Sequence, residues 1–196
     1  VLWLVGRILT AAILGALLAA LIQMGRQPDG VPAAQPVNEA QAGQLLQALQ
    51  TSAQSTYARA VEVTQAQANN YLAASIIPDP AATGRAWQAD FSRAFVLIKA
   101  GQVDFLVEQR FHGWPIYMYL TTVPETSGGK STLKITGGGV GRMPLSMRLI
   151  PLLERALHPV IASTSEAAAV LETADEIVLA PSVAKLSWRP RKPGTP

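Results

Sequence analysis

Hydrophobic residues follow three different patterns along the chain. Near the N-terminus, residues 8–24 form a run of seventeen residues without a charge. Between residues 87 and 136, apolar and polar residues mostly alternate, which predicts strands with one buried face. Around residues 143–157, apolar residues cover most of the circumference of a predicted helix. The patterns therefore separate an apolar N-terminal segment from a mixed globular part.

The N-terminal run is just long enough to cross the ~30 Å hydrocarbon core of a bilayer as a helix. A cleaved signal peptide is the alternative, but no well-formed small-x-small cleavage site follows the run. We therefore predict an uncleaved, single-pass transmembrane anchor over residues 1–26, in the inner or cytoplasmic membrane. Arg7 favours a cytoplasmic N-terminus, which places the rest of the chain on the extracytoplasmic side, in the periplasm or cell envelope.

A proline-rich stretch at residues 27–38 predicts an extended linker between this anchor and a domain over residues 39–190. Asn38 then caps a short amphipathic helix. A strand follows at residues 57–63, and Thr64 begins the next helix with a capping-box pattern.

An antiparallel meander of about four strands is predicted between residues 87 and 136, because glycine-containing turns separate the alternating segments. Asp104 and Glu108 fall on the polar side of one strand, and we interpret both as solvated rather than catalytic. The glycine-rich segment at 137–141 is interpreted as a joint or a kink in the sheet.

The apolar segment after the glycines predicts a helix that begins at Pro144, bends at Pro151 and ends at Pro159. A hairpin is predicted to close the domain, and residues 191–196 are predicted to be a disordered tail. The predicted fold is α+β: an N-terminal transmembrane helix plus one domain with a curved antiparallel β-sheet packed on helices.

The amino-acid composition limits which classes of molecule the protein is expected to bind. Charged residues make up 15% of the chain, fewer than the ~25% that is usual for soluble domains. The net charge of +3 is too small and too scattered to predict nucleic-acid binding, but it suits an anionic membrane surface. Because the chain contains no cysteine, disulfides and thiolate metal sites are excluded.

No motif for covalent chemistry is present in the sequence. Lys130 follows a glycine as in a phosphate loop, but the upstream glycine of that pattern is replaced by Pro124. Of the two histidines, His112 has no ligand partner at helical spacing, and His158 has only Glu154, which is an ordinary helix contact. We therefore expect a protein that is not an enzyme and that holds no metal or cofactor.

The apolar helix at 143–157 is the strongest candidate for a binding element, because it must bury more than one face. Two interpretations are open: it is a plain core helix, or it lines an apolar tunnel or dips into the membrane. In the second interpretation the apolar ligand contacts are Met147, Leu149, Ile150, Leu153, Leu157, Phe95, Phe105 and Met118, and the headgroup contacts are Arg142, Arg148 and Arg155.

The order of these segments resembles the YpmS-like family of membrane-anchored bacterial proteins. A "vT-x-x-x-x-N-x-yL" pattern at 63–72 and a "G-x-lPl" pattern at 141–145 carry the resemblance, which covers roughly residues 57–188. More distantly, the layout is similar to tubular lipid-binding (TULIP-like) domains. This resemblance implies a curved antiparallel sheet that wraps a long helix, and it supplies no catalytic residues.

We predict a membrane-anchored extracytoplasmic module that binds a lipid or another apolar ligand without catalysis. The alternative is an envelope scaffold that binds another membrane or periplasmic protein through a sheet edge or an amphipathic helix. The expected partners are the lipid bilayer with either a lipid ligand or an envelope protein, and no nucleic acid. An apolar cavity between sheet and helices would favour the first function, and a close-packed core with an exposed apolar patch would favour the second.

Overall fold

The structure of the protein is a computed structural model that describes residues 2–34, 36–76, 90–128 and 130–190. The predicted tail at 191–196 lies outside the described residues. The helices are α1 (Leu2–Met24), α2 (Glu39–Ala53), α3 (Gln65–Ser75), α4 (Ile150–Ala162) and α5 (Ser165–Leu171). The strands are β1 (Arg59–Thr64), β2 (Asp90–Lys99), β3 (Gln102–Phe111), β4 (Trp114–Ser127), β5 (Lys130–Val140), β6 (Met143–Pro144), β7 (Glu176–Ala180) and β8 (Val183–Trp188).

The strands form two antiparallel sheets. The larger sheet is a meander with the order β2-β3-β4-β5-β6, and the smaller sheet has the order β1-β8-β7. The prediction of an α+β domain with an antiparallel sheet packed on helices is therefore confirmed. The predicted closing hairpin is β7–β8, and it pairs with β1 from the other end of the domain sequence.

Turn chemistry fixes the register of the meander. At the β3–β4 turn, His112 and Gly113 both have positive φ, at 48° and 81°, as a two-residue hairpin turn of type I′ requires. Pairing is irregular between Phe91 and Arg93, and again where β5 meets Thr121 and Thr122 of β4. Such bulges bend a strand and increase its twist.

One glycine of the predicted kink, Gly138 in β5, explains how α4 reaches the sheet. A Cβ atom at this position would lie 2.9 Å from Leu153 Cδ2 and 3.2 Å from Ile150 Cδ1. Only a residue without a side chain lets the helix lie this close to the strand. The glycine-rich segment is therefore part of a paired strand, and its missing side chain at Gly138 allows α4 to pack closely on the sheet.

The predicted helix start at Pro144 is wrong. Residues 143–144 form strand β6, which pairs with the end of β5, and the amide of Leu145 donates a hydrogen bond to Gly138 O at 2.8 Å. These bonds keep the chain extended, so that α4 begins only at Ile150, after a 3₁₀ turn at Met147–Leu149.

The two prolines of α4 also act differently from the prediction. Pro151 lies in the first turn of the helix, where a missing amide costs no hydrogen bond, so it does not bend the helix interior. The helix does not end at residue 159, as predicted, but continues to Ala162.

The two predicted helix caps are confirmed. The Asn38 side chain accepts a hydrogen bond from the amide of Gln41 at the start of α2. Thr64 and Gln67 form a reciprocal capping box at the start of α3. The structure therefore begins both helices where the sequence pattern placed them. The sequence also predicts that Pro78 and Pro80 stop the helix that follows Thr64, and both prolines lie outside the described residues.

Helix α3 also closes the outer edge of the larger sheet. The side-chain oxygen of Gln65 accepts a hydrogen bond from the amide of Ile98 at 2.9 Å, and that of Asn69 accepts one from Val96 at 2.6 Å. These amides belong to β2, which has a strand neighbour on one side only. Two side chains of one helix therefore take the place of a neighbouring strand.

Helix α1 contacts the domain at its C-terminal end, where Gln23 and Met24 lie against Gly141. Its side chains are described from Thr10 onward, and nearly all of them are exposed. Within the residues whose side chains are described, no helix is both long and apolar enough to cross a membrane.

The predicted linker has no regular secondary structure in its described residues, but it lies against the domain. The guanidinium of Arg93 donates a hydrogen bond to Pro32 O at 2.9 Å, and Val31 packs against buried side chains of the larger sheet. Closer to α1, Arg142 forms an ion pair with Asp29. The linker is thus fixed at several points along one face of the sheet.

Candidate apolar binding site

Three groups of buried side chains form the core around the larger sheet. The first lies between α4, α3 and the sheet, and comprises Leu72, Ile76, Ala94, Val107, Leu120, Ile150, Leu153, Leu157 and Val160. The second joins α2 to the smaller sheet and comprises Leu45, Leu49, Ala53, Val63, Ile98, Ala174, Ile177, Leu179, Leu186 and Trp188. The third, on the opposite face of the larger sheet, comprises Phe95, Leu97, Leu106 and Tyr117.

A cavity of about 420 Å³ lies between the first two groups. The larger sheet contributes one wall, α2 and α3 contribute a second, and the C-terminal end of α4, α5 and the smaller sheet complete it. Representative lining residues are Leu45, Leu49, Tyr71, Val96, Val103, Phe105, Leu133, Ile135, Ile161, Ala168, Leu171, Ile177 and Leu186.

The wall of the cavity is apolar. Among the described residues that line it, only Tyr71, Thr122 and Thr164 carry a polar side-chain atom, and none carries a charge. Both threonine hydroxyls donate hydrogen bonds to backbone carbonyls, Thr122 to Val103 O at 3.1 Å and Thr164 to Ile161 O at 2.8 Å. The threonines therefore turn their polar groups to the backbone, which leaves a surface that suits hydrocarbon.

The cavity opens to solvent between β5 and the junction of α4 with α5. Leu133 of β5 is 39% exposed and Ile161 of α4 is 37% exposed, although both also line the cavity. Large apolar side chains at an opening are typical of sites that admit an apolar ligand.

Of the predicted ligand contacts, one lines this cavity and most do not. Phe105 is a lining residue. Ile150, Leu153 and Leu157 are buried in close contact with the sheet instead, as the core interpretation of the helix has it, and Met118 packs against the same group.

The remaining predicted apolar contacts lie elsewhere on the molecule. Met147 and Leu149 are exposed before the start of α4. Phe95 does not join the others, because it belongs to the buried group on the opposite face of the sheet. The alternation in β2 gives the reason: Phe95 and Val96 are neighbours and therefore point to opposite faces.

The three predicted headgroup contacts are not brought together by contacts in the structure. Arg142 is held by Asp29 and by the carbonyl oxygen of Gln27, to which its Nε donates a hydrogen bond at 2.9 Å. Arg148 and Arg155 are exposed on the 3₁₀ turn and on α4.

The interpretation of Asp104 and Glu108 as solvated is wrong. Both carboxylates are buried on the face of the sheet opposite the cavity. Glu108 forms an ion pair with Arg93 at 2.7 Å, and Asp104 forms one with Lys99 at 2.6 Å. The linker residues that lie on this face shield it from solvent, and strand alternation alone does not indicate that shielding.

This buried network shifts several pKa values. Burial raises the pKa of Glu108, but the hydrogen bond and positive charge of Arg93, with Ser92 and Tyr117, outweigh it and hold the pKa below its ordinary value. Burial raises the pKa of Tyr117, with the charge of Glu108 adding to it, and burial with the charge of Asp104 does the same for Tyr119. These side chains interact with one another across β2, β3 and β4, and they do not face the cavity.

Neither histidine belongs to the cavity. His112 lies in the β3–β4 turn with its ring edge-on to Phe111 at a centroid distance of 4.5 Å, and His158 is exposed on α4. Among the described residues there is no group of three histidine, aspartate or glutamate side chains that could hold a metal ion.

No family model matches the chain, and a comparison with curated proteins found no match. The resemblance to the YpmS-like family therefore stays a prediction. The structure does give the residues of both patterns a local role. Asn69 of the first pattern caps the edge of β2, and Gly141 of the second lies against the end of α1.

Proposed function

We propose that the domain binds one long apolar chain, such as the acyl chain of a lipid, in the cavity and performs no covalent chemistry. The observation that carries this proposal is the 420 Å³ apolar cavity at the face of the larger sheet. Protein interiors normally pack at a density of about 0.75 with few voids larger than a water molecule. A cavity of this size lies within the range of about 300–1,000 Å³ that is common for ligand sites.

The size and chemistry of the cavity define the ligand class. At about 420 Å³ the cavity has room for a hydrocarbon chain. Because the wall offers no charge, a buried charged headgroup would lose its hydration without compensation. The headgroup therefore stays at the opening, near Leu133 and Ile161, while the hydrocarbon chain enters.

We further infer that α1 holds the domain at a membrane as a single-pass anchor, with the domain on the extracytoplasmic side. The large apolar side chains of its described part lie on one broad side of the helix, and all are about half exposed or more: Ile13, Leu14, Leu17, Leu18, Leu21 and Ile22. Small residues without charge cover the other side over residues 11–22. An uncharged helix whose large apolar side chains are not buried against the domain needs a non-aqueous environment. Such an anchor would also keep the cavity close to a source of lipid.

A second candidate function, an envelope scaffold, is favoured by a separate observation. Met147, Leu149 and Leu152 are large apolar residues that are all exposed around the start of α4. Grouped apolar residues at a surface are typical of protein contacts. Lipid binding is the better-supported function, because it accounts for the cavity and a scaffold function does not.

Lipid binding can be tested with two neighbouring alanines of α5. Ala168 lines the cavity, whereas Ala169 is exposed and does not. The full-length chain, Ala168→Phe and Ala169→Phe are purified from membranes, and the lipid extracted from each is quantified by mass spectrometry. Lipid that surrounds α1 is the same in all three proteins and cancels in the comparison.

We expect the parent and Ala169→Phe to carry one more acyl-bearing molecule per chain than Ala168→Phe. The phenylalanine ring at position 168 occupies the cavity, and the ring at position 169 extends into solvent. Equal amounts of lipid in all three proteins would contradict the proposal and leave the scaffold as the better candidate.

A further inference from the structure

We propose that Trp114, at the tip of the β3–β4 hairpin, rests in the interfacial region of the bilayer that holds α1 and sets the orientation of the domain on the membrane. The proposal depends on the membrane location inferred for α1, and it is independent of lipid binding in the cavity. Its partner is a bilayer surface with anionic headgroups.

The end of α1 and the tip of the hairpin lie at the same end of the larger sheet. The amide of Arg142 donates a hydrogen bond to Gln23 O in the last turn of α1 at 2.9 Å. The neighbouring amide of Gly141 donates one to Tyr117 O of β4 at 2.7 Å. Since Tyr117 is three residues from Trp114 along the strand, the hairpin tip lies roughly 10 Å beyond this junction.

The junction between α1 and the sheet is a close one. Gly141 has φ of 59°, and a Cβ atom there would collide with the backbone of Gln23 and Met24. The side chain of Arg142 also donates a hydrogen bond to Gln27 O, just after the helix. The helix end is therefore seated directly on the β5–β6 turn, at the same end of the sheet as the hairpin tip.

The chemistry of the tip suits a membrane interface. Trp114 is 78% exposed, the highest value among the large apolar residues of the described chain. The turn at His112 and Gly113 has a defined conformation, so the ring is presented from a fixed backbone. Tryptophan prefers the interfacial region of bilayers, because its ring is apolar and its N–H is polar. The side chain of Arg110, one residue before the end of β3, is 59% exposed. Its Nε lies 3.8 Å from Glu108, whose closer partner is Arg93 at 2.7 Å, so part of its charge remains to meet anionic headgroups.

The opposite tip of the sheet has a different character. The β4–β5 turn follows Ser127 and contains no large apolar residue. Ser127 and Trp114 are the two ends of the 14-residue strand β4, which separates them by about 40 Å. The large exposed aromatic residue is thus at the end of the sheet where α1 emerges, and the polar tip is at the far end.

This difference can be measured because the chain contains no cysteine. His112→Cys, in the same turn as Trp114, and Ser127→Cys each introduce a single site for a nitroxide label while Trp114 is retained; both positions are exposed, so neither change disturbs the core. The full-length labelled chains are reconstituted into vesicles of phosphatidylcholine and phosphatidylglycerol. Collision of the label with oxygen, which concentrates in lipid, is then compared with collision with a water-soluble nickel chelate.

We expect the label at position 112 to be reached by oxygen and protected from nickel, and the label at position 127 to show the reverse. Vesicles without phosphatidylglycerol should reduce the protection at position 112, because headgroup charge is lost. Equal access of nickel to both labels overturns the proposal, as does failure of the chain to sediment with vesicles.

The outcome is distinguishable from a failure of lipid binding in the cavity. If nickel reaches position 112 while Ala168→Phe still removes bound lipid, the orientation proposal fails and the cavity proposal stands. If the labels behave as expected while the lipid content does not change, the reverse holds.

Discussion

Helix α4 meets the larger sheet in two different ways along its length. In the packed half, Ile150, Leu153 and Leu157 are buried against the sheet, over Gly138. In the cavity half, near Ile161 in the last turn of α4 and along α5, the same layer opens into a space of about 420 Å³. The sheet is continuous behind both halves, so the difference comes from the elements laid upon it.

Small residues produce both outcomes, depending on where they are placed. Gly138 lies in the sheet, and its missing side chain lets α4 approach closely. Ala168 lies on α5, and its small side chain leaves volume in front of the sheet. The packed half therefore stabilises the fold, whereas the cavity half has fewer packing contacts and leaves space for a ligand.

The largest expected effect is on the packed half. Leu157 is 0% exposed, so Leu157→Ala should lower the free energy of unfolding by about 2–5 kcal/mol, through lost burial and the void left behind. Leu152→Ala is the control, because Leu152 is on the same helix but 61% exposed, and it should cost less than about 0.5 kcal/mol. Urea denaturation measures both, and equal costs would mean that α4 is not seated as described.

A smaller effect is expected from adding one methyl group beneath the helix. Gly138→Ala should cost about 1–3 kcal/mol, because the new Cβ would lie 2.6 Å from Tyr119 O and 2.9 Å from Leu153 Cδ2. Gly137→Ala is the matched control. Its nearest neighbour is Thr121 Cβ at 3.9 Å, so it should be close to neutral. Thermal unfolding of the two variants compares them directly, and a Gly137→Ala loss as large as that of Gly138→Ala would refute the close approach.

Added volume in the cavity half should change the free energy of unfolding much less than it does beneath the packed half. Ala168→Leu should change the free energy of unfolding by less than about 1 kcal/mol, since the added carbons enter the cavity rather than a packed layer. Ala169→Leu, which adds the same group on the exposed side of α5, serves as the reference. A loss similar to that of Gly138→Ala would show that this region is close-packed.

Low pH should lower the free energy of unfolding of the whole domain. It should leave the difference in stability between the parent and Gly138→Ala unchanged. Because the pKa of Glu108 is lowered in the folded protein, its ion pair stabilises the fold at neutral pH. This contribution is lost as the pH falls below the ordinary value of 4.5 and through the folded pKa. Urea midpoints measured against pH should therefore fall in parallel for the parent and Gly138→Ala. A steeper fall in one of them would mean that the network supports only one half.

Local patterns predicted much of the fold. The strands followed from alternation and from turn residues, and Asn38 and Thr64 capped the helices where their side-chain chemistry placed them. The start of α4 was not predictable in this way, because Pro144 is acceptable both in the first turn of a helix and in a short edge strand. The hydrogen bond from the Leu145 amide to Gly138 O decides between them, and it joins residues of different elements.

The candidate site was predicted less well, for a related reason. The sequence drew attention to the most apolar helix, yet a very apolar helix is one that packs closely. The cavity is lined instead by residues that look ordinary in sequence, such as Leu45 of α2 and Ala168 of α5. These residues come from distant parts of the chain, which the β1–β8 pairing and the contact of α2 with α5 bring together.

The capped edge of β2 has a consequence for how copies of the protein behave beside one another. A free strand edge invites pairing with a second chain, and crowding on a surface makes such encounters frequent. Because Gln65 and Asn69 already accept the hydrogen bonds of Ile98 and Val96, a neighbouring copy finds these two amides occupied. Truncation of either side chain to alanine would free one of these amides. Two side chains of a helix thus set how readily the sheet of one copy can extend into the next.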